Sequence, residues 1–361
     1  MVRMLFIVAG IAGTLSFAGE KREAVWEYFY PTWTHESAGA DLALAHLATD
    51  PAERIEADFR ITAPLRERVL FWASIYSRYH SKIKVLHDRN HPGIVYGYID
   101  FSPLYLKYKP IKASILAARV EKEILSKLKA SILAAASLCP SALNEADQEA
   151  LRVHLSQYNL QSKADYETLA GNIRGQLGQS DQFREALVRS EKFLPWIEKV
   201  FESHGLPRAL TRLPFVESSF NSGARSKSGA IGLWQFMPNT AREMIHPTNR
   251  RHWHDPIRQT KAAARFIKRN RAALPDWAST VTSYNSGFGR VTRLLAVHVT
   301  GIGAIEARGS DGELGFAGKN FYAELLAANI VEAYKKELFS APARPKRLGA
   351  LEVTKTARDG S

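Results

Sequence analysis

The sequence predicts a mainly α-helical protein in two parts. A mostly helical N-terminal region carries a small β-hairpin, and a second segment is denser in glycine and aromatic residues. Three observations predict this. Apolar residues recur at helical spacing from Leu65 to Tyr79 and again from Pro110 to about Gly205. Two short β-prone runs, Lys84-Val85-Leu86 and Ile94-Val95-Tyr96, flank a turn from Asp88 to Gly93. From Leu206 to Tyr334 glycine, tryptophan and tyrosine become frequent, and every strong motif lies there. A length of 361 residues suits about two domains, and a composition 45% hydrophobic can fill a core.

The elements are justified in order. Arg3 precedes an apolar run from Met4 to Phe17, and Ser16 and Ala18 place small residues where a signal peptidase reads. Residues 1–18 are therefore expected to be a secretory signal, with an uncleaved anchor as the alternative. The run is short for a permanent span, and no cysteine lies near the cleavage point to take a lipid. Residues 19–200 form the expected N-terminal region. In it Val69, Leu70, Trp72, Ala73 and Tyr76 make one helical face, and the Ala/Leu-rich stretch from Ala113 onward makes the longest helix. Its two copies of Ala-Ser-Ile-Leu-Ala-Ala, at 113 and 130, show no longer period. Cys139 is the single cysteine, so no intramolecular disulfide exists, and its setting reads as a buried thiol near a helix end. Residues 201–340 form the second expected domain. Residues 341–361 are basic, lack a sustained apolar face and read as disordered.

The formal net charge is +13 and the isoelectric point about 9.7. Such a balance suits an acidic partner or a solubilising surface. No RNP motif, zinc-finger spacing or helix-turn-helix signature is present, which argues against nucleic acid.

One carboxylate stands apart. Glu217 follows Phe215 and Val216 and precedes Phe220. Leu210, Leu213 and Val216 have helical spacing, with Pro214 distorting or restarting the helix. Glu217 then falls near a helix C-terminus, where the macrodipole disfavours a negative charge. Apolar neighbours disfavour it as well, and both effects raise its pKa. A carboxyl that stays protonated near neutral pH can serve as a general acid. An exposed or capping glutamate is the plainer reading. Downstream, Gly223, Gly229 and Gly232 permit tight turns. Ser226 and Ser228 offer hydroxyls, Gln235 an amide, and Leu233, Trp234, Phe236 and Met237 apolar surface. This loop lacks the Gly-Lys-Ser/Thr ending of a phosphate loop. Hydroxyls, amides and aromatic faces suit a sugar polymer. Pro238 starts a short helix. Asp255 and Pro256 read as the N-cap and first residue of a longer one, with Ala262, Ala263, Phe266 and Ile267 inward. Tyr284 and Asn285 end a further helical stretch before Gly287 and Gly289.

Three motifs stand in order: Glu217-Ser218, then Ser226 through Gly229-Ala230-Ile231-Gly232-Leu233-Trp234-Gln235, then Ser283-Tyr284-Asn285. In this pattern the chain resembles the lytic murein transglycosylases of the soluble-lytic and goose-type-lysozyme-like group, glycoside hydrolase family twenty-three. Within it the membrane-bound type D subgroup is most similar. The resemblance covers roughly residues 206 to 300, and Asn320 to Ala328 resembles the helix that closes such a domain. It implies a lysozyme-like fold for the second domain. The family often has proline where Ser222 stands and alanine where Ser283 and Ser286 stand. The type D subgroup often carries C-terminal LysM repeats where this chain has a short basic tail.

The resemblance implies a peptidoglycan lytic transglycosylase. In the family a glutamic acid protonates the β-1,4 glycosidic oxygen between N-acetylmuramic acid and N-acetylglucosamine. It then takes the proton of the C6 hydroxyl, which closes onto C1 as a 1,6-anhydromuramoyl end without water. Glu217 is the expected acid and base, and Ser226, Gln235, Tyr284 and Asn285 the expected substrate-binding residues. The motifs supply one carboxylate, whereas most glycosidases use two. Glu243 and Asp255 read as helix surface and N-cap. No cofactor and no metal is expected: His252 and His254 lack a third ligand. A periplasmic monomer acting on glycan strands is expected, with room for peripheral association with the membrane or other cell-wall proteins. A lysozyme-type hydrolase on the same fold and a non-catalytic wall-binding protein are the rival readings.

Overall fold

The computed structural model describes residues 14–15, 23–31, 38–137, 145–246, 248–297 and 314–339. Most of the expected signal, Cys139 and the tail from 341 lie outside them.

Strands β1 (Thr14–Leu15) and β2 (Glu23–Ala24) pair with each other. Next come β3 (Phe29–Pro31), α1 (Ala38–Leu47), α2 (Arg66–Ser77), β4 (Ile83–Asp88) and β5 (Val95–Asp100). Helices α3 (Ser102–Lys107), α4 (Pro110–Ser137), α5 (Glu145–Leu155) and α6 (Lys163–Asn172) lead to β6 (Ile173–Leu177). Then follow α7 (Ser180–Glu191), α8 (Leu194–Ser203), α9 (Leu213–Ser218), α10 (Pro238–Met244) and α11 (Pro256–Ala273). The last are α12 (Trp277–Ser286), α13 (Phe288–Val297), α14 (Gly315–Ala333) and α15 (Lys335–Phe339).

The expected hairpin is β4 and β5, with Val85 opposite Tyr98 and a register shift between Leu86 and His87. It is the centre of a four-stranded antiparallel sheet in the order β3-β5-β4-β6. The helical reading of 110–205 therefore needs one correction. Residues 173–177, Ile-Arg-Gly-Gln-Leu, form an edge strand on β4. Their local pattern carries no strand alternation, so the ladder to β4 decides their state.

Two large cores result. In the first, the sheet and α3 to α6 bury Leu86, Tyr96 and Ile99 against Val120, Ile124, Leu128 and Ile132 of α4. The spacing of those four residues is the apolar stripe that makes α4 a helix. In the second, α14 is the central element. From Phe321 to Val331 it is buried except at Glu324, so it is apolar nearly all round. Against it lie α2, α9 and α12. The same core takes in Val69, Trp72, Ile75 and Tyr76 of α2 and Phe183 of α7. Elements from both sides of residue 200 thus share one apolar interior. Gly318 lets α12 and α14 approach: a Cβ there would lie 2.2 Å from Ser286 Oγ.

Candidate active site

Glu217 occupies the last turn of α9, a short helix with Pro214 in its first turn that follows the 3-10 segment Arg208–Arg212. The helix stops because Ser219 and Phe220 both adopt left-handed conformations, at φ 50° and 56°. Such residues cost on the order of 1–3 kcal/mol each, and only surrounding contacts maintain them. Here Phe220 donates its backbone N–H to Pro214 O at 2.9 Å. Arg189 Nε donates to Ser219 O at 2.9 Å. The Phe220 ring, 1% exposed, packs edge-on to Phe215. The sharp turn carries the chain away from the acid and into the Ser/Gly loop.

The Glu217 side chain is half-buried, and its carboxyl makes no hydrogen bond to a described residue. Burial, and then the neighbouring carboxylate of Glu324, push its pKa up to about 8. Such a carboxyl holds its proton at neutral pH and keeps an opening through which to give it away.

The three sequence motifs meet through two backbone carbonyls. Ser218 Oγ donates to Leu233 O at 2.8 Å, and Tyr284 Oη donates to Trp234 O at 2.7 Å. These bonds fasten the acid-bearing turn and the end of α12 to adjacent peptides of one loop. The loop itself is held from behind. Gln259, fully buried on α11, accepts from Trp234 N at 3.1 Å and donates to Ile231 O at 3.2 Å. Trp234 Nε1 donates to Thr260 Oγ1 at 2.8 Å. Gly232, at φ 72°, is required for this, because a Cβ would lie 2.0 Å from Gln259 Nε2.

The other expected site residues are placed as follows. Tyr284 lies near Glu217: burial, and then the Glu217 charge, raise its pKa well above the usual range. Its hydroxyl is turned to Trp234 rather than to the acid. Gln235 takes φ 47° and donates its amide to Gly232 O at 2.8 Å, bracing the loop. Ser226 Oγ accepts from Ala230 N at 2.9 Å and closes the Ser/Gly turn. Asn285 is exposed beside Tyr284. Trp234 and Phe236 are core residues, 0% and 3% exposed, so neither ring is an open groove wall. Asp255 caps α11 by accepting from Ile257 N at 2.8 Å, and exposed Glu243 pairs with Arg269. His252 packs on His246, with ring centroids 4.9 Å apart. Among the described residues no group of three or more His, Cys, Asp or Glu could hold a metal, and no helix is long and apolar enough to cross a membrane.

One carboxylate escaped the motif reading. Glu324 on α14 is half-buried, and burial lifts its pKa to about 7 against the lowering effect of a hydrogen bond from Tyr76. Tyr76 Oη donates to Glu324 Oε2 at 3.1 Å. Glu324 is the one acid between Gly315 and Val331, set between Ala323 and Leu325 in a stretch whose other polar residues are Lys319, Asn320, Tyr322 and Asn329. That is the same solitude that marks Glu217, and it was the available signal.

Residues 195–298 match the Transglycosylase SLT domain. The resemblance read from the three motifs thus holds over this segment. Membrane-bound lytic murein transglycosylase D of Escherichia coli (strain K12) is 34% identical over 114 residues, 31% of this chain and 25% of the relative. Membrane-bound lytic murein transglycosylase C of Haemophilus ducreyi is 30% identical over 124 residues, 30% of this chain and 34% of the relative. Membrane-bound lytic murein transglycosylase F of Alcanivorax borkumensis is 30% identical over 168 residues, 42% of this chain and 35% of the relative. The chain therefore spans about a quarter to a third of the length of these relatives. Glu217, Ser226, Gln235, Tyr284 and Asn285 all lie in the SLT segment, whereas Tyr76 and Glu324 fall outside it.

Proposed function

We propose that this protein is a peptidoglycan lytic transglycosylase with Glu217 as its acid and base. The observation that carries the reading is a half-buried carboxyl, free of hydrogen bonds to described residues and pushed up to about 8, inside the SLT segment. The substrate is the glycan strand, cut at the β-1,4 bond between N-acetylmuramic acid and N-acetylglucosamine. Glu217 gives its proton to the glycosidic oxygen as the C1–O bond breaks. The C6 hydroxyl oxygen then bonds to C1, and its proton returns to Glu217. No water is consumed, and the acid is restored. Asn285 and Ser226 contact the strand, while Gln235 and Tyr284 set the loop that faces it. Secretion through residues 1–18 would deliver a monomer to the periplasm.

A second reading is supported by Glu324. A second carboxylate could activate water, as in hydrolytic glycosidases, and the enzyme would then be a lysozyme-type muramidase. Mass spectrometry of fragments released from purified sacculi separates the two. Anhydromuramoyl ends are expected; reducing muramic ends would replace the transglycosylase with the hydrolase. No release by folded protein would leave a wall-binding role.

A further inference from the structure

The N-terminal half places a tyrosine on the second carboxylate. Tyr76 of α2 is 1% exposed, and its hydroxyl donates to Glu324 Oε2 at 3.1 Å. Its ring begins a stack that ends at Phe215 on the helix of Glu217. Tyr76 stacks on Phe183 of α7 at 5.2 Å, and Phe183 stacks on Phe215 of α9 at 4.7 Å, two residues before the acid. The helices that carry the two carboxylates, α9 and α14, pack directly on each other. This packing brings Glu324 near enough for its charge to act on Glu217.

Two like charges in one half-buried place cannot both persist at neutral pH, and such a pair titrates as a unit. What matters is which member keeps the proton. Glu324 accepts a hydrogen bond that favours its ionised form; Glu217 has none from any described residue. Nearby charges are otherwise engaged. The Glu217 charge in turn raises the pKa of Tyr76 from α2 and of Tyr284 from α12, and both hydroxyls stay neutral beside it. Arg212, in the 3-10 segment before α9, pairs with Glu198 and Glu332. Arg189 of α7 is bonded to Ser219 O and Glu185, and Arg184 lies over the Phe339 ring. Arg68 of α2 donates to Asn320 Oδ1 and Asn90 O.

We infer that Glu324 and Tyr76 are positioning residues for Glu217: the Tyr76 hydroxyl favours ionisation at Glu324, so the proton the two carboxyls share rests on Glu217. This rests on the reading of Glu217 as the acid, and it gives the N-terminal helices a part in one site with the SLT segment. Neither residue touches the reacting atoms; both act through the charge beside the acid.

The test uses the full chain with 13C-labelled glutamate side chains and follows the Glu217 carboxyl by NMR from pH 4 to 9. In Glu324→Gln the midpoint should fall by about one pH unit, because the neighbouring charge is gone while burial persists. The alkaline limb of the cleavage profile should move with it. In Tyr76→Phe, which removes a single hydroxyl, the proton should pass in part to Glu324 and the Glu217 midpoint should move the same way by less. An unmoved midpoint in a folded Glu324→Gln protein overturns the inference, as does loss of cleavage without a shift, which would assign Glu324 to water activation. If Glu324→Gln does not fold, Tyr76→Phe decides by the same signal. Cleavage that survives Glu217→Gln would instead overturn the proposed acid, an outcome distinguishable from either.

Discussion

Tyr284 donates its hydroxyl to the carbonyl of Trp234 at 2.7 Å, across 50 positions of sequence. The bond joins the Tyr-Asn motif to the loop whose other side is tied to the acid-bearing turn through Ser218. Replacing Tyr284 with Phe keeps the ring, which stacks on Phe321, and removes only this bond. The expected result is a loss of about 1 kcal/mol of stability, read by denaturant unfolding. Turnover of sacculi should fall by more than that loss explains, because the loop loses its anchor beside Glu217.

Glu217→Gln should abolish cleavage and raise stability at alkaline pH. The wild-type folded pKa lies above the ordinary glutamate value. Between about pH 4.5 and 8 the native state therefore binds the proton more tightly than the unfolded chain. Stability from this group is fully present below that window, falls across it and is level above it. Glutamine removes the fall. Discounted for the carboxyl's opening to solvent, the gain at pH 8 is about 2–3 kcal/mol, with none expected at pH 4. Urea unfolding at the two pH values checks the sign.

Gln259→Leu should cost about 2–4 kcal/mol. The fully buried amide serves Trp234 N, Ile231 O and Trp253 O together. Leucine fills the space but leaves three backbone groups without that partner. Equilibrium unfolding measures the loss, and near-ultraviolet circular dichroism should report the loosened Trp234.

Arg212→Met should destabilise by about 2–4 kcal/mol near neutral pH, since it removes the buried partner of Glu198 and Glu332 and leaves them only the exposed Arg208 and Lys335. Burial would raise the Glu332 pKa, but Arg212 and Lys335 outweigh it and hold it below the usual value. In the wild type this contribution is present above the unfolded pKa and lost as pH falls through the folded one. The variant lacks it, so the two unfolding curves should converge on acidification.

A fragment beginning at Phe201 should fail to fold. It would strip Val69, Trp72, Ile75 and Tyr76 from α14 and leave Asn320 without its partners Arg68 and Trp72. Retained native circular dichroism in such a fragment would show instead that α14 can find other cover.

The sequence by itself determined the helical character, the hairpin, the cap at Asp255 and three motifs in order. All of these are local: periodicity, turn chemistry and N-cap preference act over a few residues and are legible as spacing. It also marked Glu217, because an isolated acid among aromatic residues is a local contrast. The edge strand at Ile173–Leu177 was not legible, since its state comes from the ladder to β4. Nor was the service of Gln259 to the loop, or the use of Trp234 and Phe236 as core. The second carboxylate was hidden for the same reason. Glu324 and Tyr76 lie 248 positions apart, and only the packing of α2 and α9 on α14 brings both to the acid. Spacing along the chain sets which residues can share a face, but burial and electrostatic neighbourhood are decided by which faces meet, and that is a property of the tertiary structure alone.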